Sequence, residues 1–171
     1  MALADTFDDY LIEPLGKQDR AAFSCDVEKL DIYLKQQAGQ DARKRMAAPF
    51  VLIEKSSGIV AGYYTLSSTG LKFDELPIEI TKKLPKYPNV PATLLGRLAV
   101  DKNHRKKGLG EMLLMDALYR SLQSEIATIA VVVDAKDDKA RSFYEHYNFI
   151  QFPNFPYWLF LMMQTIEKMF T

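Results

Sequence analysis

Three cations and two glycines stand together in Arg105-Lys106-Lys107-Gly108-Leu109-Gly110. The run lies between an apolar stretch and an amphipathic one, which places it at a strand-to-helix turn. Glycine lets the backbone turn tightly with its N–H groups exposed. A helix that opens there adds the partial positive charge of its N-terminus. With three basic side chains alongside, the chemistry favoured is the binding of a diphosphate. Competing nucleotide loops are absent: no GxxxxGK[ST] run exists, and Gly110 is followed by Glu-Met-Leu-Leu-Met, so the third glycine of a dinucleotide fingerprint is missing. Taken alone, a basic Gly-x-Gly turn equally describes an ordinary turn with solvated lysines, and its surroundings must decide.

Those surroundings alternate strands and helices. A short strand is expected at residues 11–14. A helix follows over 27–38, with Leu30, Leu34 and Ala38 at four-residue spacing. Residues 40–46 extend it or form a second helix. Residues 50–54 and 59–66 read as a hairpin closed by Lys55-Ser56-Ser57-Gly58, where Gly58 is free to take a positive φ. Residues 73–91 hold Pro77, Pro85, Pro88 and Pro91 and read as a structured loop or short helix between strands. Residues 93–100 make an apolar strand that leads into the basic turn. A helix over 108–124 buries Leu114, Ala117, Leu118, Ser121 and Leu122 and turns Asp116, Arg120 and Gln123 the other way. The β-branched run 126–133 reads as a strand buried on both faces. A helix over 138–147 and a strand over 158–163 complete a mixed α/β order around one sheet.

Composition narrows the function classes. The chain has 171 residues, 48% hydrophobic and 26% charged, with zero formal net charge. One domain spanning residues 1–171 is the expectation, with roughly two-thirds of the unfolded surface buried and no need of a metal. No global field announces nucleic acid or membrane, so either partner must be met by a local patch. The lone Cys25 excludes an intrachain disulfide and reads as a buried small apolar side chain in a cytoplasmic protein. The start Met-Ala-Leu-Ala-Asp-Thr lacks the basic and apolar regions of a signal peptide, and no apolar run reaches membrane-spanning length.

The pattern [RQ]-x-x-G-x-[GA] directly after Leu98-Ala99-Val100 resembles the GNAT acetyltransferase superfamily, with Arg105, Gly108 and Gly110 on the motif positions. Val131-Val132-Val133-Asp134-Ala135 and then Ala140-Arg141-Ser142-Phe143-Tyr144 to Asn148-Phe149 continue the likeness, with Asn148 where the family carries glycine. The resemblance implies acetyl-CoA as cosubstrate and no metal. Leu98, Ala99 and Val100 would pair with the pantetheine arm, and Arg105, Lys106, Lys107, Gly108, Leu109 and Gly110 would hold the pyrophosphate. Asp134, Ala140 and Phe143 would line the same cofactor site. Tyr144 would assist departure of the CoA thiolate, which suits a phenol facing a thiol of pKa ~8.5.

Beyond the core motif, Phe23-Ser24-Cys25 through Leu30-Asp31-Ile32-Tyr33-Leu34 to Ala38, Gln40 and Asp41 carries a closer likeness, with Asp26 where the pattern has glycine. Gly62-Tyr63-Tyr64-Thr65-Leu66-Ser67 and Gly96-Arg97-Leu98-Ala99-Val100-Asp101 extend it. This ensemble resembles the GNAT toxins of type II toxin–antitoxin modules. It implies acetylation of the α-amino group of aminoacyl-tRNA, a block of translation, a small ribbon-helix-helix antitoxin as partner and a homodimer. An α-amino group has a pKa of ~8 against ~10.4 for lysine, and an ester-linked amino acid lies lower, so no strong general base is needed. His104 and His146 are expected at the surface, and neither they nor Glu54 and Asp134 have a clear claim to that role. Arg43, Lys44, Arg45 and Arg97 are the candidate tRNA contacts.

The fold expected is therefore a mixed α+β GNAT fold, a mostly antiparallel central sheet with splayed strands and flanking helices. An acetyltransferase acting on a protein lysine or small amine is the first alternative. A non-catalytic CoA-binding regulatory module is the second.

Overall fold

Strands form where β-branched and aromatic residues cluster, and reversals fall where a residue accepts a left-handed backbone. The computed structural model describes residues 7–171. The reading of residues 1–6 as lacking a signal sequence lies outside the described residues. The strands are β1 (Tyr10–Pro14), β2 (Ala48–Glu54), β3 (Val60–Lys72), β4 (Asn89–Val100), β5 (Ala130–Asp134), β6 (Ile150–Phe152) and β7 (Phe155–Met162). They make one seven-stranded sheet in the order β1-β2-β3-β4-β5-β7-β6. β4 and β5 are parallel, in the register Thr93↔Val131 to Leu95↔Val133, while β4 runs on to Val100. The pairs β1/β2, β2/β3, β5/β7 and β6/β7 are antiparallel, so the sheet is mostly antiparallel, as the sequence implied.

The helices are α1 (Glu28–Ile32), α2 (Ala38–Arg43), α3 (Ile78–Thr81), α4 (Leu109–Gln123), α5 (Asp138–His146) and α6 (Met163–Met169). A π-helical turn, Tyr33–Gln37, joins α1 to α2. None of the described helices is long and apolar enough to cross a membrane.

By its internal contacts the chain divides into two compact units, residues 1–67 with 96–117 and residues 68–95 with 118–171. In the first, Phe23, Cys25, Tyr33, Leu34, Ala38, Val51, Ile53, Val60, Tyr63 and Ala99 form the core. Tyr63 is its centre. Phe23 meets its ring edge-on at 5.6 Å, Tyr33 stacks at 6.2 Å, and its hydroxyl donates to the Leu30 carbonyl at 2.7 Å. The tyrosines thus fix the helical segment against β3 while satisfying a buried hydroxyl. Cys25 is buried, as expected.

In the second unit, Leu71, Leu76, Val90, Ala92, Ala130, Val132, Phe152 and Phe160 form the core. β5 is buried at every position but Asp134, which matches a strand covered on both faces. Of the predicted α4 stripe, Leu114, Ala117, Leu118 and Ser121 are buried and Leu122 is half-buried, while Leu113, outside it, is buried as well. Asp116, placed opposite that stripe, accepts a hydrogen bond from Tyr64.

Several boundaries move. β3 runs to Lys72 and β4 begins at Asn89, so both are longer than their apolar cores. Their outer halves alternate exposed and buried residues, a weaker signal than a continuous apolar run. The strand predicted from residue 126 starts at Ala130 because Ile126 is exposed in the preceding loop. β6 and α6 were not predicted. β6 contributes three residues, too few for a period to register. Residues 73–91 resolve into a 3-10 turn, Phe73–Glu75, and the single helical turn α3. Gly58 does close the β2–β3 turn, at φ 74°.

Gly62 is the close approach in β3. A Cβ there would lie 3.0 Å from the Ala99 carbonyl oxygen and 3.0 Å from Leu113 Cδ1. The backbone oxygen has no room to yield. Gly62→Ala is therefore expected to destabilise the chain by about 1–3 kcal/mol, read as a lower denaturant midpoint with an unchanged slope. Wild-type stability in the variant would mean the strand spacing there is softer than described.

Candidate active site

The basic turn is built from the end of β4. Asp101, buried, donates its backbone N–H to the Ala61 carbonyl at 2.8 Å, which continues the strand by one bond. Its side chain then caps the 3-10 turn Lys102–His104, accepting from Asn103 N at 2.9 Å. The other carboxylate oxygen accepts from Ser24 N at 3.0 Å, and Lys102 N donates to the Ser24 carbonyl at 2.8 Å. Both polar groups of Ser24 are thereby tied to the start of the loop. Lys106 and Gly108 take left-handed φ values of 64° and 75°. These two reversals let α4 open at Leu109, with Met112 N donating to the Gly108 carbonyl at 3.1 Å. Gly110 lies within the first turn of α4 and needs no special φ. Lys106 pays no glycine-like entropy but carries strain of order 1 kcal/mol.

Arg105 has a different task from its lysine neighbours. Its guanidinium donates to the Cys25 carbonyl at 2.7 Å and lies 3.1 Å from the Asp26 carboxylate. Asp26 has φ 67°, which explains why the related pattern carries glycine at that position. Arg105 thus pins the loop to residues 25–26, while Lys106 and Lys107 stand exposed. A cradle of two left-handed residues, a helix start and two free-standing ammonium groups fits a diphosphate.

His104 corrects the expectation of a surface residue: it is buried. Its Nδ1 lies 3.3 Å from the Asp101 carboxylate and its Nε2 3.2 Å from Glu54. Tyr10 meets the imidazole edge-on. The hydrogen bond from Ser57 is the main cause that holds the Glu54 carboxyl below its usual value, with His104 and Lys107 assisting against partial burial. Burial pulls Asp101 upward, but the N–H groups of Ser24 and Asn103 and the His104 ring outweigh it and leave that carboxyl lowered. The cluster was missed because Glu54 lies fifty residues from His104 in sequence; the local sign was an aspartate following an apolar strand. His146 is exposed, as expected.

Tyr144 lies on α5, whose N-cap Asp137 accepts from Ala140 N at 2.8 Å. Its ring packs between Phe143 at 5.3 Å and Phe149 at 5.3 Å. Burial pushes its phenol well above the ordinary value, and the hydroxyl makes no hydrogen bond among the described residues. It is a protonated donor without an internal acceptor. Asn148 ends the motif at φ 72°, so asparagine does serve in place of glycine. Ala140 and Phe143 are half-buried on the same helix. Asp134, at the open end of β5, has its carboxyl raised by desolvation. Leu98 and Val100 are half-buried on β4 on either side of buried Ala99.

Of the candidate RNA contacts, Arg97 is stacked on Tyr33, with its guanidinium carbon 3.5 Å from the ring centroid. Tyr33 in turn donates to Asp41 at 2.8 Å, and burial followed by that bond pushes its phenol up to about 12. Arg43, Lys44 and Arg45 are exposed where α2 ends, Arg45 at φ 59°. Among the described residues no group of His, Cys, Asp and Glu is arranged to hold a metal ion.

Comparison with known proteins bears on this geometry. Residues 87–159 match the FR47-like protein family. A tRNA-acetylating toxin of Mycobacterium tuberculosis is 35% identical over 148 residues, covering 85% of this chain and 87% of that one. The chain belongs to the GNAT acetyltransferase toxins. Among solved structures of this family, AtaT complexed with acetyl-methionyl-tRNAfMet is similar at a TM-score of 0.87 and 29% identity, covering 95% of this chain and 100% of that one. A tyrosine-to-phenylalanine mutant of the AtaT toxin, bound to the C-terminus of the antitoxin AtaR and acetyl-CoA, is similar at a TM-score of 0.81 and 26% identity, covering 96% and 99%.

The lowered carboxyls of Glu54 and Asp101 have a stability consequence. A carboxyl whose folded value lies below its unfolded one contributes stability above the ordinary range near pH ~4, and that contribution is lost as pH falls through the folded value. The melting temperature of the wild type is expected to drop steeply below that range. Asp101→Asn should be less stable at neutral pH by about 1–3 kcal/mol and show a shallower acid slope. Parallel acid slopes for the two proteins would contradict the assignment.

Proposed function

We propose that this chain transfers the acetyl group of acetyl-CoA to the α-amino group of aminoacyl-tRNA and acts as a toxin by blocking translation. The observation that carries the reading is the likeness, over nearly the whole chain, to AtaT complexed with acetyl-methionyl-tRNAfMet. Acetyl-CoA supplies an activated thioester, and the chain's own residues do the rest. Lys106, Lys107, Gly108, Leu109 and Gly110 hold the diphosphate, with Arg105 bracing the loop from beneath. The backbone of Leu98, Ala99 and Val100 carries the pantetheine arm and polarises the thioester carbonyl. Asp134, Ala140 and Phe143 complete the cofactor contacts. Tyr144 donates a hydrogen bond or proton to the departing thiolate, a role supported by its protonated and internally unpartnered hydroxyl.

The α-amino substrate is favoured over lysine by the lack of a strong base. Both nitrogens of His104 face carboxylates, and Glu54 is engaged by Ser57 and His104. Arg43, Lys44, Arg45 and Arg97 contact the tRNA backbone. The chain acts as one acetyltransferase domain, a reading supported by β3, β4 and α4, each of which runs through both compact units. It works in the cytoplasm as a homodimer, and a small ribbon-helix-helix protein is its antitoxin.

Tyr144→Phe should lower acetylation of aminoacyl-tRNA by about 100-fold or more with the fold intact, and its induction should leave growth unimpaired where the wild type stops it. Equal growth arrest by both proteins would remove Tyr144 from the reaction. Wild type that acetylates free lysine peptides but no aminoacyl-tRNA would replace the substrate. Light scattering should give twice the 19.5 kDa chain mass; a single chain mass would refute the dimer.

A further inference from the structure

The His104 cluster sits directly before the phosphate loop and has no part in the roles above. The two ring nitrogens of His104 each face a carboxylate. An ionised carboxylate only accepts, so an imidazole that donates to both at once is the imidazolium. His104 meets Asp101 at 3.3 Å and Glu54 at 3.2 Å in this way. Glu54 ends β2, Asp101 follows β4, and His104 closes the 3-10 turn between Asp101 and Arg105. The next residue, Arg105, is matched by Asp26. At the base of the loop Arg105 meets Asp26, and His104 is the ring that meets both Glu54 and Asp101. Lys107 is close enough to lower the Glu54 carboxyl. Remove the imidazolium, and two carboxylates at the base compete with an incoming diphosphate for the loop lysines.

We propose that His104 is a positioning residue for acetyl-CoA: its imidazolium clamps the base of loop 105–110 between Glu54 and Asp101 and screens their charge from the diphosphate. The proposal rests on the reading of that loop as the diphosphate site. It predicts an effect confined to the diphosphate half of the cosubstrate. Acetyl-pantetheine, which presents the thioester without the diphosphate, is the control ligand.

The test is titration calorimetry and steady-state kinetics on the full chain with acetyl-CoA and acetyl-pantetheine. His104→Gln keeps hydrogen-bonding capacity and loses the charge. It should weaken acetyl-CoA binding about tenfold, roughly 1.4 kcal/mol, and leave acetyl-pantetheine binding unchanged. The kinetic loss should fall on KM for acetyl-CoA rather than on kcat. Adding Glu54→Gln to His104→Gln removes one uncompensated carboxylate and should restore part of the affinity. Glu54→Gln alone leaves His104 opposite a single carboxylate and should bind acetyl-CoA at least as tightly as wild type. It also keeps the test decisive if His104→Gln fails to fold. A His104→Gln protein with a lower melting temperature but undiminished preference for acetyl-CoA would overturn the proposal alone. So would Glu54→Gln weakening acetyl-CoA. Wild type binding both ligands equally would overturn the loop assignment itself.

Discussion

The site depends on one buried carboxylate. Asp101 directly follows β4, and the first turn of the chain away from the strand hangs on its two oxygens. One holds Ser24, and the other holds Asn103 and faces His104. Burying a carboxylate costs several kcal/mol unless charge and hydrogen bonds offset it. Two backbone donors and an imidazole provide that offset here. The arrangement is therefore cooperative: the segment 23–26, the 3-10 turn and the end of β4 are each satisfied only when the others are in place. Arg105 extends the same tie to the Cys25 carbonyl. The basic turn is thereby tied on its inward side while Lys106 and Lys107 stay exposed.

How much of this was legible in the sequence divides by range. Local features read well. The left-handed turns at Gly58 and Asn148, the buried stripe of α4 and the apolar β5 each follow from a handful of adjacent residues. The placement of Arg105 and Gly108 in a strand-to-helix turn and of Tyr144 on a helix was legible from local pattern. The pairing of Arg105 with Asp26 was not, because it joins positions far apart whose only common sign is charge. His104 was misread for the same reason. A lone polar residue beside lysines reads as solvated, whereas Glu54 from β2 and Tyr10 from β1, both distant in sequence, pack against it. The lengths of β3 and β4 were underestimated because their outer halves carry polar residues on one face, and periodicity alone does not separate such a strand from a loop.

The two polar centres of this chain are tuned by opposite means. Around residues 101–107, opposite charges meet and hydrogen bonds hold carboxyls in their ionised form. Around Tyr144, aromatic rings pack the phenol and burial disfavours its charged form, so it stays neutral. The first environment suits permanent charge that recognises a permanent anion. The second suits a group that must stay uncommitted until negative charge develops next to it.

That tuning bears on what a tyrosine can do for a leaving thiolate. A thiol has a pKa of ~8.5 and an unperturbed phenol ~10, so complete proton transfer from tyrosine to thiolate is already uphill, by about 1.4 kcal/mol for each unit of difference. Burial widens the gap at Tyr144. A hydrogen bond to the developing thiolate costs nothing of the kind, and it strengthens as sulfur gains charge. The raised phenol is thus better matched to stabilising the thiolate than to surrendering its proton. The amine that attacks becomes acidic once it bonds to the acetyl carbon, and it can supply the proton that the thiol finally takes. In the proposed reaction Tyr144 would thus serve as a fixed donor, and the same burial that makes it a poor acid keeps its proton in place.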